Sequence, residues 1–338
     1  MKKSQVAVLA LLALAAAITV GCGSSSNPTF KQMPMWSNRT NPNNTPMFIM
    51  NLDGSDVTSI PTNTDDVWGL SISANTKTVS YTSEGEVWVG GSNGSNAVQL
   101  THVTDNNAAW AEVSKLSPNG KKIVYAVWPE GADVANLSIM NADGSGSTSV
   151  AFPDGMTSCF VGSFSPDSSK ITFACANTGY SSYGLYTMKV DGTQLTMVVT
   201  QSAEIDTPMF TPNGKQILYV SQGAPGISNL RRAAVNQNQP THHSGRLGPH
   251  NSTAHHYGAA PAPNTGVAIV NLDGSTPTLL VPQNQIYESE VFNSNLYYMI
   301  WDSNLSLFQI YKANIDGTGS SSLSDGTTDD ELGACGDC

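Results

Sequence analysis

Charge is scarce in this chain, and positive charge is scarcest. Of 338 residues only 12% are Asp, Glu, Lys or Arg, with 15 basic against 26 acidic side chains and a formal net charge of −11. That balance disfavours a face basic enough to follow a phosphate backbone, and the expectation is no nucleic-acid partner. The fingerprints of common chemistries are missing too: the chain has no phosphate-cradling P-loop, no dinucleotide Gly-x-Gly-x-x-Gly, no His-Glu-x-x-His, and no carboxylate pair at a recognisable catalytic spacing. Gly90-Gly91-Ser92-Asn93-Gly94 has the letters of a nucleophile elbow. It stands where the repeats place a turn and leads into no helix, so it reads as a turn.

What the chain has in plenty is turn residues and short β-rich runs. Ser165-Pro166-Asp167 is turn chemistry, followed by the β-branched and aromatic run Ile171 to Cys175, then by Leu185 to Val190 closed by Asp191-Gly192. The same order recurs at Ser117-Pro118-Asn119-Gly120 and at Thr211-Pro212-Asn213-Gly214, with weaker copies at Ser73 and Asn293. Closing glycines fall at Gly54, Gly94, Gly144, Gly192, Gly274 and Gly317, spaced by 40, 50, 48, 82 and 43 residues. The gap of 82 suggests one more unit, with Leu230 to Asn236 as its closing strand. A period in the forties with about four short strands per unit predicts an all-β β-propeller of about seven blades, with six as the alternative.

The Ser-Pro-Asp/Asn-Gly turn, the Ile-x-Tyr/Phe strand and the Met-Asn-Leu/Ala-Asp-Gly-Ser ending resemble the WD-like repeats of TolB-type propellers, from about Met35 to the C-terminus. The resemblance implies the fold, not one function, because such propellers serve binding proteins and enzymes alike. The TolB protein itself carries an α/β domain before its propeller, for which the sequence before Met35 has no room, so its cellular role is not carried over. With no catalytic motif in the chain, the expectation is a protein- or ligand-binding scaffold rather than an enzyme. The competing class is a carbohydrate-lyase-like or metal-dependent propeller enzyme, since similar oligogalacturonate lyases use a His-bound metal.

Lys2-Lys3 and the apolar run Val6 to Val20 read as a signal peptide over 1–21. Thr19-Val20-Gly21-Cys22 resembles the lipobox of bacterial lipoproteins, which implies acylation of Cys22, and residues 22–31 then form a flexible tether before a propeller over 32–338. Gly23 after the cysteine implies the outer membrane, facing the periplasm, with the lipid as the sole membrane contact. The half-repeat ending at Gly54 lacks its beginning, and the stretch Leu323 to Leu332 begins a repeat that is never finished. Joined, the two halves make one blade that closes the ring and removes both sheet edges.

Cys159 and Cys175 lie equally far from Asp167 at a hairpin turn, so they face each other across two strands, as a disulfide or as two small buried thiols. Cys335 and Cys338 form a terminal Cys-x-x-Cys with no helix to make it redox-active. Five of the six histidines, His242, His243, His250, His255 and His256, fall in a stretch where the repeat breaks down. Metal ligands, a functional loop and a degenerate solvated segment are the open readings.

In WD-type blades the strand before each such turn is innermost, which places Glu112, Asp206 and Glu288, each five residues before its turn, at the channel mouth. Asp66 and Asp330 stand near the matching place. Converging carboxylates would make a site for a cation or a basic peptide; the other reading is that each accepts hydrogen bonds within its own loop. No cofactor is expected, and calcium is the ion that hard oxygens would suit.

Overall fold

The computed structural model describes residues 28–39, 47–62, 67–105, 109–130, 132, 134–222, 266–275, 277–282 and 286–332. They form six four-stranded antiparallel sheets arranged as the blades of a propeller, with no α-helix among the described residues. The first blade joins β1 (Gln32–Ser37), β2 (Met47–Asn51) and β3 (Thr58–Ser59) to the last of the described strands, β24 (Asp330–Leu332). The second runs β4 (Val67–Ile72), β5 (Thr78–Ser83), β6 (Glu86–Gly91) and β7 (Val98–Gln99). The third runs β8 (Ala109–Leu116), β9 (Lys122–Pro129), β10 (Asn136–Asn141) and β11 (Thr148–Ser149). The fourth holds β12 (Ser158–Phe164), β13 (Lys170–Ala176), β14 (Tyr183–Lys189) and β15 (Thr196–Gln201). The fifth holds β16 (Ile205–Phe210), β17 (Gln216–Ser221), β18 (Gly266–Asn271) and β19 (Thr278–Val281), and the sixth β20 (Ile286–Phe292), β21 (Asn295–Asp302), β22 (Leu307–Asn314) and β23 (Ser321–Ser322).

Two hydrogen-bonded turns, repeated around the ring, explain why these residues form blades. In the inner turn a hydroxyl and an Asx side chain bond back to the chain: Ser117 Oγ donates to Asn119 Oδ1 at 2.8 Å and accepts from the Lys122 amide at 2.9 Å. Ser165 with Asp167 and Thr211 with Asn213 repeat the donation at 2.6 and 2.8 Å. The outer turn closes when the amide and the hydroxyl of Ser55 both donate to Asp53 Oδ1, at 3.0 and 2.6 Å, while Gly54 takes φ +90, a conformation that side chains with a Cβ resist. Asp143 with Ser145 and Asp316 with Thr318 do the same. These local bonds set each hairpin's register, so the apolar residues alternate onto the faces that meet neighbouring blades.

The apolar cores lie between blades rather than within them. Val124 and Leu137 of the third blade pack with Phe173, Cys175 and Tyr186 of the fourth; Leu185 and Ala174 of the fourth pack with Tyr219 and Val270 of the fifth. No blade can bury both faces without its neighbours. The ring closes through its two ends: β24 pairs antiparallel with β1, Met35 opposite Leu332 and Ser37 opposite Asp330. The Ser37 hydroxyl donates to Asp330 Oδ1 at 2.6 Å, and the Arg39 guanidinium holds Asp330 Oδ2 at 2.6 Å and Oδ1 at 3.1 Å.

The ring has six blades, not seven. β18 pairs directly with β17, Ser221 opposite Gly266, so the gap of 82 residues contains one described blade whose second and third strands are far apart in sequence. The surplus closing strand at Leu230 to Asn236 falls outside the described residues, as do Cys22, Asp66, the five clustered histidines, Cys335 and Cys338. Cys159 and Cys175 are opposite each other in the β12–β13 register and are joined as a disulfide, with Cα atoms 4.0 Å apart.

Candidate functional site

The first strands of the blades surround the axis, where β4 contacts β8, β8 contacts β12, β12 contacts β16 and β16 contacts β20. Each of these five strands is interrupted by a β-bulge: between Trp68 and Ser71, Glu112 and Ser114, Val161 and Phe164, Asp206 and Met209, and Ile286 and Glu288. A bulge adds unpaired backbone and turns the adjoining side chains away from the ladder. Close approach of neighbouring inner strands reinforces the constraint, since a Cβ on Gly162 would meet Thr172 O at 2.3 Å and Pro208 O at 2.6 Å.

The strands enclose a cavity of about 190 Å³ at the end of the channel where the inner turns lie. Pro118, Pro166 and Pro212 of those turns rim it, and most of its wall is apolar. Of the acidic residues expected at the mouth, Glu112, Asp206 and Glu288 line this cavity together. Asp330 does not; its carboxylate is held at the ring closure by Ser37 and Arg39. Phe30 also reaches the cavity, held by reciprocal 2.9 Å hydrogen bonds with Asn293 and by an edge-on ring contact with Phe292.

The electrostatics of the wall are lopsided. Lys115 on β8 is its one basic side chain among the described residues, and it is paired with Glu290 on β20. The third and sixth blades stand opposite each other in a ring of six, so this pair spans the channel. Asp206 is buried, touched at 3.5 Å by the Gln222 side-chain amide, and burial pushes its carboxyl up to about 7. Glu288 is 1% exposed, and neither of its carboxylate oxygens has a hydrogen-bond partner among the described residues. Burial raises its carboxyl well above the ordinary range; Lys115 opposes that shift, while Glu290, Glu331 and Asp206 add to it. Among the described residues no three His, Cys, Asp or Glu groups are placed to hold a metal ion.

Lys115, Glu290, Ser289 and Thr207 are the lining residues that sequence reasoning passed over. Strand alternation from Glu288 points to Glu290, two residues on and on the same face. Lys115 lies three residues after Glu112 and shares its face because the bulge at Val113 adds one residue, a shift the sequence does not announce.

Six antiparallel four-stranded blades, in a ring closed by the pairing of β24 with β1, define a six-bladed β-propeller, a fold shared with TolB proteins of known structure. Among solved structures, the chain is similar to a protein assigned as TolB from Agrobacterium tumefaciens, at 13% identity and a TM-score of 0.57, over 90% of this chain and 91% of that one. It is similar to TolB from Acinetobacter baumannii at 14% identity and a TM-score of 0.58, over 91% of this chain and 65% of that one. A chain of the nidogen/laminin complex matches at 11% identity and a TM-score of 0.59, over 90% of this chain and 100% of that one. No family model and no curated protein matches the chain. At such identities the likeness speaks for the fold alone.

Proposed function

We propose that this chain is an exported lipoprotein of the bacterial cell envelope, facing the periplasm from the outer membrane, whose propeller is a binding or scaffold module. The acid-lined end of the channel is its recognition face. One observation carries this reading: Glu288, a buried carboxylate without a hydrogen-bond partner among the described residues, lines a mostly apolar cavity open at the inner turns. Structural carboxylates are satisfied, and one left unsatisfied in a cavity calls for a ligand to complete it. The apolar run before Gly21-Cys22, followed by a Ser-rich segment, supports export and tethering. The TolB-like fold supports protein binding in general, with a protein or peptide of the envelope as the partner.

The test is capture on the tagged full chain from detergent-solubilised envelope. A stoichiometric protein partner, released when Glu112, Asp206 and Glu288 are replaced together by their amides, is the expected result. Failure to capture any partner, with a tightly held metal found by elemental analysis, would overturn it in favour of a metal-dependent propeller enzyme. Replacing Cys22 by Ser tests the anchor, because the chain should move from the membrane to the soluble fraction.

A further inference from the structure

Three polar groups on the cavity wall are shut off from solvent and have no hydrogen-bond partner among the described residues. They are the Glu288 carboxylate, with both oxygens bare, the hydroxyl of Ser289 beside it on β20, and the hydroxyl of Thr207 on the neighbouring β16. Thr207 owes its position to the bulge, where its backbone takes φ +41. A carboxylate and two hydroxyls can all accept, and none of the described residues donates to them. Lys115, the wall's one basic group, is committed across the channel to Glu290. What completes the site is a group that brings several N–H donors and positive charge at once.

The donor set argues against a bare hard ion as that group. Calcium takes six to eight oxygens, whereas no three acidic, His or Cys side chains converge among the described residues. Around the acids the wall is built from Phe160, Phe164, Pro208, Met209 and Phe292, a surface for carbon rather than for water. Aromatic faces also attract an ammonium cation through the ring quadrupole.

We propose that the channel cavity binds a primary ammonium group carried on an apolar body, with Glu288 as counter-ion, Ser289 and Thr207 as further acceptors, and the Phe- and Pro-rich wall around the body. This rests on the reading of the channel end as the recognition face. The ammonium belongs either to a small organic amine or to a lysine side chain presented by a partner; the chemistry is the same. Binding carries a proton signature. Glu288 meets Lys115 from β8, Asp206 from β16, Glu290 on its own strand and Glu331 from β24, and burial favours its protonated form. Pairing with R–NH3+ favours the ionised Glu288 carboxylate, so binding shifts protons from this carboxyl to the buffer.

Isothermal titration of the full chain near pH 6, in two buffers of different ionisation enthalpy, tests this with four probes: n-hexylammonium, the neutral 1-hexanol, N-acetyl-lysine-N-methylamide and calcium. Expected are saturable binding of the two ammonium probes with proton release, at least tenfold tighter than 1-hexanol. The lysine amide binding more tightly identifies a partner's side chain, and n-hexylammonium more tightly identifies a free amine. Glu288→Gln should weaken binding at least tenfold and abolish the proton release. Should that variant fail to fold, Ser289→Ala and Thr207→Val carry the test, each expected to weaken binding about threefold. Equal affinity for 1-hexanol, displacement of n-hexylammonium by calcium, or no binding of either ammonium at millimolar concentration overturns the proposal. Amine binding without partner capture from the envelope leaves this site standing and removes the scaffold reading; the reverse result removes this site alone.

Discussion

Asp330 and Glu288 are each 1% exposed, and they sit in opposite conditions. Asp330 at the ring closure accepts from Ser37, from two nitrogens of Arg39 and from Thr328, so its charge is fully met. Glu288 in the channel accepts nothing among the described residues, and burial raises its carboxyl. The first arrangement is how a chain holds its two ends together. The second leaves a desolvated acceptor uncompensated in the folded state, a cost that makes sense where a ligand supplies the missing donors. The two carboxylates look alike in sequence, and only their surroundings separate structure from recognition.

The sharpest way to break the comparison is to remove the closure itself. Deleting residues 323–338 takes away β24 and leaves β1 as an open edge, so the whole propeller, not one blade, should lose its cooperative melting transition and aggregate on heating. Unchanged calorimetric melting would show that the ring does not depend on its ends.

Next in size is the pH dependence of the channel acids. Asp206 has a folded carboxyl at about 7 against an ordinary value of 3.8, so its contribution is fully present below about pH 4 and is lost as pH rises to about 7. Urea denaturation across that window should show the wild type losing on the order of 3 kcal/mol relative to Asp206→Asn. Parallel curves would mean that Asp206 is not held neutral by burial. A smaller effect is expected from the disulfide. Replacing Cys159 and Cys175 together by Ala opens a loop of 16 residues in sequence separation and should cost about 2–3 kcal/mol in the same assay, with the six-bladed ring retained.

Much of the fold was legible because its determinants are local. Ser117-Pro118-Asn119-Gly120 and Asp53-Gly54-Ser55 write their hydrogen bonds into three or four adjacent residues, and the half-repeats at either end announced the closure that β24 and β1 make. The blade count was less legible, since spacing alone does not separate an extra blade from an excursion between β17 and β18. In the site, counting back from the inner turns placed Glu112, Asp206 and Glu288 on one cavity wall. The same count could not tell Asp330 apart, because the Arg39 that claims it lies 291 residues away in the chain. Lys115 was hidden for another reason: a bulge shifts side chains off strict alternation, and nothing in residues 112–114 marks it, whereas Pro208 inside β16 was a cue to the bulge beside Thr207.

The central contrast comes down to one paired measurement, chemical denaturation of Glu288→Gln and Asp330→Asn beside the wild type near pH 8. Losing the Asp330 charge leaves Arg39 without its partner and should cost about 3 kcal/mol, whereas Glu288→Gln should be as stable as the wild type or slightly more so, since it breaks no hydrogen bond among the described residues and removes a carboxyl whose charged form burial penalises. If Glu288→Gln unfolds as readily as Asp330→Asn, then Glu288 is a structural carboxylate and the channel end is not a recognition site.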